Sequence, residues 1–114
     1  MANTFTKNTK SSLLTADVTS SATTNIVTAG STATLIILSV LISNKTGSSA
    51  NGNVYLVPGS GDSVFLLKSA PVPAGSSLEM IQGSKIIMTA NDVLRASADT
   101  ASALDITISY LLQN

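Results

Sequence analysis

The segment covering residues 103–112 constrains the fold more than any other part of the chain, because apolar and polar side chains alternate along it. Alternate positions are apolar: Leu104, Ile106, Ile108, Tyr110 and Leu112. The positions between them are polar with one apolar exception: Asp105, Thr107, Ser109 and Leu111. Because successive side chains of a β-strand point to opposite faces, this spacing predicts a strand with one core face and one wetter face.

Short segments of similar character recur along the chain, separated by clusters of turn-forming residues. The segments that predict strands are 26–28, 32–43, 53–57, 63–69, 77–81, 85–89, 93–98 and 103–112. Turn signals at intervals of about 8–12 residues are typical of antiparallel sandwiches and jelly rolls, and no segment has sustained helical periodicity. We therefore predict an all-β chain with a single antiparallel β-sandwich or jelly-roll-like domain of about eight short strands.

The N-terminal part of the chain differs in composition from the rest. Residues 1–24 are rich in Thr, Ser and Asn, with isolated apolar positions. This composition predicts an extended arm that precedes a sandwich domain at 25–114; the arm either contains one or two edge strands or is a partly disordered tail. An arm of this kind could be deleted while the sandwich stays folded.

The segment 35–42 is apolar at both its even and its odd positions, with one Ser at position 39. A strand that is apolar on both faces lies centrally in a sandwich or is covered on its second face by a partner. A buried helix is the competing interpretation of such a run. The β-branched content and the flanking Thr, Ser and Gly residues favour a strand.

Local signals predict how neighbouring strands connect. The strands at 53–57 and 63–69 predict one hairpin, and those at 77–81 and 85–89 predict a second across a turn at 82–84. Residues 43–53 predict a mobile surface loop. Residues 70–75 contain two prolines and predict a stiff extended linker, which cannot be a central strand because proline has no backbone N–H.

The charge and composition of the chain exclude several classes of partner. Six basic and six acidic residues give a net charge of zero, and a chain with little net charge tends to self-associate. The basic residues are scattered, whereas nucleic-acid binding needs a basic stripe, so we expect no nucleic-acid partner. Residues 1–12 have no apolar signal-peptide core, and 35–42 is far shorter than the roughly 20 residues that span a bilayer, so we expect no membrane partner.

The residue types that carry most enzyme chemistry are missing or dispersed. The chain has no His and no Cys, which excludes Ser-His and Cys-His nucleophiles and thiolate metal sites. Its acidic residues are far apart in sequence and form no calcium-binding motif. Its two Tyr and two Phe residues are too few for an aromatic binding platform. We therefore expect no catalytic, cofactor-binding or metal-binding residues, no small-molecule substrate and no enzymatic activity.

Three segments in the second half of the chain carry a resemblance to a known family. They are the residues 70–78 (APVPAGSSL), 86–98 (IIMTANDVLRASA) and 104–110 (LDITISY). From Pro71 onward the chain resembles small β-sandwich virion proteins of tailed bacteriophages, cyanophages among them. It departs from their pattern at Asn91, where many relatives have Gly before the Asp of this turn, and at its C-terminal end, where many have a strand carrying Glu. Asn also tolerates a left-handed backbone.

The resemblance implies a structural part of a virion and leaves the part open. The first expectation is a capsid cement or decoration protein that binds and reinforces the lattice of the major capsid protein as a homo-oligomer. The second is a neck, collar, tail or baseplate component of the same virion. A host-glycan-binding fibre module is a third possibility from another class. The implied partners are copies of the chain itself and the major capsid protein or other virion proteins.

The residues that we expect at protein interfaces come from two segments. The isolated apolar residues of the arm could fill pockets on another chain, and the odd positions of the segment 35–42 could form its covered second face. The predicted interface residues are Phe5, Leu13, Leu14, Leu35, Ile37 and Leu41.

Overall fold

The computed structural model describes residues 3–11, 13, 25–79, 85–100 and 102–113. Its strands are β1 (Asn3–Lys10), β2 (Asn25–Thr28), β3 (Thr34–Asn44), β4 (Ala50–Val57), β5 (Val64–Val72), β6 (Ser77–Glu79), β7 (Ile86–Met88), β8 (Val93–Ala98) and β9 (Leu104–Gln113). The described residues contain no helix. The all-β prediction is confirmed.

The strands form two antiparallel sheets that pack face to face. The first sheet has the order β1-β9-β3, and β6 and β7 both pair with the remaining side of β3. The second sheet has the order β2-β8-β4-β5. If β6 and β7 are counted as one interrupted strand, the chain crosses between the sheets at every connection except the β4–β5 hairpin. This order is that of a jelly roll.

The core lies between the two sheets and includes one face of β9. Leu104, Ile106 and Ile108 are fully buried, and Tyr110 is nearly so. The side chains between them, such as Thr107, are only half-buried on the opposite face. The alternation of this strand therefore has the predicted register.

β3 contains a bulge that explains why the segment 35–42 is apolar at both odd and even positions. The register of β3 on β9 shifts between Ile37 and Ser39, which leaves Leu38 as the extra residue. An extra residue changes which positions face the core. The core-facing side chains of β3 are odd-numbered before the bulge and even-numbered after it: Leu35, Ile37, Val40 and Ile42. β3 is also central in its sheet, which is one of the two positions predicted for a strand that is apolar on both faces.

The predicted β4–β5 hairpin is confirmed, but the predicted hairpin between 77–81 and 85–89 is wrong. In the described residues, β6 and β7 each pair with β3. The reason is that β3 offers apolar partners to both strands: Leu78 lies opposite Ile42, and Met88 lies opposite Leu35 and is fully buried. The predicted turn at 82–84 lies outside the described residues.

The predicted linker at 70–75 is shorter in the structure, because β5 continues to Val72. Pro71 lies in this strand and pairs with Asn51 of β4. β5 is an edge strand of the second sheet, where a residue without a backbone N–H can be accommodated. The prediction that this segment is not a central strand is confirmed. The sequence did not predict that residues 70–72 belong to an edge strand.

The loop predicted at 43–53 is also shorter, since β3 ends at Asn44 and β4 begins at Ala50. The buried side chain of Asn44 holds this loop. Its Nδ2 donates to the carbonyl oxygens of Ser48 and Val72 at 2.8 and 2.9 Å. Its Oδ1 accepts from the backbone N–H and the hydroxyl of Thr46. The loop is therefore tied to β5 through one amide.

The described part of the predicted arm belongs to the sandwich. β1 pairs with β9 along its whole length and forms an edge of the first sheet. The Nδ2 of Asn8 donates to the carbonyl oxygen of Ile26 at 3.1 Å, which ties β1 to the second sheet. Leu13 is only 1% exposed, and its N–H donates to the carbonyl oxygen of Leu104 at 2.7 Å. An edge strand within residues 1–24 was one of the predicted possibilities.

This placement gives a different expectation from composition alone, namely that residues 1–13 contribute to the stability of the fold. Deleting residues 1–13 should lower the midpoint of thermal unfolding, because the deletion removes the β1–β9 ladder and the buried Leu13. Loss of one buried leucine side chain alone costs about 2–5 kcal/mol. Thermal unfolding followed by circular dichroism measures the effect. Phe5→Ser, which changes a side chain that is 77% exposed, is the matched control and should leave the midpoint nearly unchanged. An unchanged midpoint for the deletion would contradict this account.

Candidate functional site

The described residues contain no clustered groups of the kind that bind metals. No group of three or more His, Cys, Asp or Glu among them could hold a metal ion. The ion pair between Lys45 and Asp105, 2.9 Å from Nζ to Oδ1, is exposed to solvent and contributes little to stability. The described residues also form no helix that is long and apolar enough to cross a membrane. The features left to consider are surfaces.

Asp92 is a buried carboxylate whose role is structural. It accepts hydrogen bonds from the backbone N–H of Gly59 at 2.8 Å and of Thr89 at 2.9 Å, and from the Thr89 hydroxyl at 3.3 Å. Burial raises the pKa of Asp92, but these three hydrogen bonds lower it more, so that its pKa lies below the usual value. Asn91 has a φ of 68°, the left-handed conformation that its residue type was expected to tolerate. Through its hydrogen bonds to Gly59 and Thr89, Asp92 therefore holds the β4–β5 turn against the β7–β8 turn.

The outer face of the first sheet carries a line of four apolar side chains, which we call the apolar row. Phe5 of β1 lies opposite Leu111 of β9, Leu111 lies opposite Ile36 of β3, and Ile36 lies opposite Ile87 of β7. Directly opposed residues have their Cβ atoms about 4.5–5.5 Å apart, so the four side chains are neighbours across the sheet. Phe5 is 77% exposed and Ile87 is 52% exposed.

Two further apolar residues extend this surface. Leu38 lies at the bulge, and Leu41 lies three residues further along β3. Both side chains are half-buried. The core cluster and the side chains packed against it include neither of these residues nor any member of the apolar row. Among the residues that the structure describes, the outer face of the first sheet thus presents six apolar side chains that the two packed sheets do not bury between them.

A shallow groove lies within this surface. Its volume is about 400 Å³, and its lining residues are Phe5, Thr6, Lys7, Leu38, Ser109 and Tyr110. Ser109 lies on β9 between Lys7 of β1 and Ser39 of β3, so two adjacent small side chains, Ser109 and Ser39, leave a depression beside the larger Lys7. The lining contains no carboxylate. Phe5, Leu38 and Tyr110 supply the apolar and aromatic part of its wall, and the rest of the lining is polar.

The predicted interface residues are divided between this surface and the core. Phe5 and Leu41 lie on the outer face of the first sheet. Leu13, Leu35 and Ile37 are buried in the core cluster and do not reach the surface of the sandwich. Leu14 lies outside the described residues. The odd-numbered set was split because the bulge at Leu38 changes which positions point outward.

Sequence reasoning did not identify four residues of this surface: Ile36, Leu38, Ile87 and Leu111. A signal existed for Leu111, which is the one apolar residue in the polar half of the 103–112 alternation. No comparable signal existed for Ile87, since its position beside Ile36 depends on β7 pairing with β3.

The outer face of the second sheet carries a smaller aromatic cluster. Tyr55 of β4 lies opposite both Phe65 of β5 and Arg95 of β8. The rings of Tyr55 and Phe65 meet edge to face with centroids 4.8 Å apart, and the Nζ of Lys68 lies 5.0 Å from the Phe65 centroid. The Nε of Arg95 donates to Oδ1 of Asn25 at 2.8 Å. Half of the chain's four aromatic residues are therefore neighbours, as the predicted hairpin of 53–57 with 63–69 implies for Tyr55 and Phe65.

No protein-family model matches this chain, and a search of curated proteins finds no similar sequence. The resemblance of the segments 70–78, 86–98 and 104–110 to phage virion proteins therefore stays a prediction.

Proposed function

We propose that this chain is a structural protein of a tailed-phage virion, a cement or decoration protein that binds the major capsid lattice as a homo-oligomer and reinforces it. The observation that carries the proposal is the outer face of the first sheet, where six apolar side chains lie outside the core. Phe5 and Ile87 are the most exposed of these side chains, and contiguous exposed apolar surface marks sites of protein association.

The energetics of this face favour a protein partner. Burial of apolar surface contributes about 25 cal/mol per Å², so a few hundred Å² contributes several kcal/mol before the cost of association. The net charge of zero leaves little electrostatic repulsion between copies. The face therefore supports attachment to other proteins more than binding of a small molecule.

The segments that carry the resemblance form continuous structural units. Residues 70–78 cover the end of β5 and the start of β6, residues 86–98 cover β7, the Asp92 turn and β8, and residues 104–110 lie in β9. Jelly rolls occur in viral capsid proteins but also in lectins and cupins, so the fold alone does not assign the function. The support comes from the resemblance together with the exposed apolar face.

Quantitative mass spectrometry of purified particles tests the proposal. A cement or decoration protein should be present in a fixed ratio to the major capsid protein. In a structure of the intact particle, density for the chain should lie on the capsid surface. A neck, tail or baseplate component of the same virion would instead be present in a few copies per particle. Absence of the chain from purified particles would contradict both virion roles.

A second candidate function, binding of host glycans, is favoured by the aromatic cluster on the second sheet. Phe65 is 44% exposed beside Tyr55, and aromatic rings with polar neighbours are common contact surfaces for sugar rings. A glycan array probed with the wild-type chain and with Phe65→Ala tests this function. Binding that the substitution abolishes would support it, and an array without signal for the wild-type chain would contradict it.

A further inference from the structure

We propose that the outer face of the first sheet docks the same face of a second copy of this chain, with Leu38 of each copy entering the groove above Ser109 of the other. This inference rests on the proposed function, which already expects an oligomer. It adds the partner of the apolar face and the residues that meet at the interface. The expected assembly is a two-fold symmetric dimer of packed sandwiches.

The order of strands makes this face complementary to itself. β9 and β3 are adjacent in the middle of the sheet, with β1 at one edge and β6 and β7 at the other. A two-fold axis in the contact plane, parallel to the strands and between β9 and β3, places β9 of one copy over β3 of the other. The apolar row then meets itself, with Phe5 opposite Ile87 and Leu111 opposite Ile36. Contacts that repeat in this way are the property of an isologous interface.

The bulge supplies a protruding side chain beside a depression. Leu38 is the extra residue of β3 between Ile37, which pairs with Tyr110, and Ser39, which pairs with Ser109. The groove of about 400 Å³ lies above Ser109, and Leu38 forms part of its wall. Because the two-fold axis exchanges β3 and β9, it places Leu38 of the second copy over this groove. Each dimer contains the contact twice.

The size of the face agrees with a stable interface. The sheet is four strands wide, or about 19 Å at a strand spacing of about 4.8 Å. β9 has 10 residues, which corresponds to a length of about 34 Å. Two such faces bury roughly 1,300 Å² in total, within the range of about 1,200–2,000 Å² typical of specific protein interfaces.

The charges at the margins of the face are also complementary. Lys7 lies on β1 at one edge, and Glu79 lies on β6 at the other, where its carboxylate accepts hydrogen bonds from the Ser39 hydroxyl and the Val40 N–H. The two-fold axis brings β1 of one copy over β6 and β7 of the other. Lys7 then lies two residue positions along the strand direction, or about 7 Å, from Glu79 of the second copy, so that opposite charges approach each other at both margins.

Light scattering on the purified full chain, at micromolar concentration, tests the proposal. The wild-type protein should have twice the chain mass of 11.6 kDa. Leu38→Asp should raise the dimer dissociation constant at least about tenfold, since the substitution occurs twice in the dimer. Ser109→Phe should also weaken the dimer, because the ring fills the groove that Leu38 must enter. Simple hydrophobic association would instead be strengthened by Ser109→Phe, which adds exposed apolar surface.

Phe65→Asp is the matched control, because Phe65 is a partly exposed apolar residue on the outer face of the second sheet and should leave the dimer unchanged. Circular dichroism verifies that each variant is folded. A monomeric wild-type chain, or a dimer that only Phe65→Asp dissociates, would overturn the proposal. A monomer that is present in virions in a fixed ratio to the capsid lattice would overturn self-docking and leave the virion role intact. A dimer that depends on Leu38 but is absent from virions would overturn the virion role and leave self-docking intact.

Discussion

Ile108→Ala should lower the free energy of unfolding by about 2–5 kcal/mol, whereas Thr107→Ala should change it by no more than about 0.5 kcal/mol. Ile108 is fully buried between the two sheets, so truncation loses apolar burial and leaves a cavity. Thr107 is the adjacent residue of the same strand, but its side chain points to the outer face. Urea unfolding followed by circular dichroism gives both values, and an unchanged slope with denaturant would confirm that the unfolding transition is comparable.

The comparison is best made in the Leu38→Asp background, because association of the outer face would add a concentration-dependent contribution to stability. Ile106→Ala should behave like Ile108→Ala, since Ile106 is equally buried in the core cluster. Similar losses at Thr107 and Ile108 would show that the register of β9 is not the one described.

Asp92→Ala should cost about 2–3 kcal/mol at neutral pH, because hydrogen bonds to a charged carboxylate are stronger than those between neutral groups. The substitution leaves the N–H groups of Gly59 and Thr89 without their acceptor. The two turns pack closely at this point, since a Cβ added to Gly59 would lie 2.8 Å from the carbonyl oxygen of Ala90. Chemical unfolding at neutral pH measures the loss.

The contribution of Asp92 should depend on pH in a defined direction. Its pKa in the folded chain lies below the ordinary value of 3.8, so the unfolded state takes up a proton first as the pH falls. The stabilisation is complete above the ordinary pKa and is lost as the pH falls through the lowered one. The stability difference between wild type and Asp92→Ala should therefore shrink in this acidic range. Asp62→Ala, in the exposed β4–β5 turn, is the control and should have little effect at neutral pH. A difference that stays constant down to strongly acidic pH would contradict the assigned role.

The elements that sequence reasoning identified correctly are those whose signal is local. β8 and β9 were predicted nearly to the residue, because turn signals bound β8 on both sides and β9 alternates between two environments along its own length. The β4–β5 hairpin followed from two short strands that flank a Pro-Gly turn. In each case, the residues that determine the structure are neighbours in the chain, so their order already contains the information.

The elements that sequence reasoning missed depend on distant partners. β1 looked like an arm, because its pairing with β9 joins the two ends of the chain. β6 and β7 looked like a hairpin, because nothing in 77–89 indicates that β3 is the better partner for both. Proline at position 71 indicated a linker, whereas the edge of a sheet accommodates it.

The sequence by itself determined that this chain is a weakly charged β-sandwich without histidine or cysteine chemistry, because composition and period-two alternation are properties of the chain alone. Only the tertiary structure decided which apolar residues form the core and which form the outer surface. That division depends on a one-residue bulge at Leu38 and on the register of four strands, and a shift by one residue exchanges the two faces of a strand. The apolar row exists because strands far apart in sequence align Phe5, Leu111, Ile36 and Ile87 across one sheet.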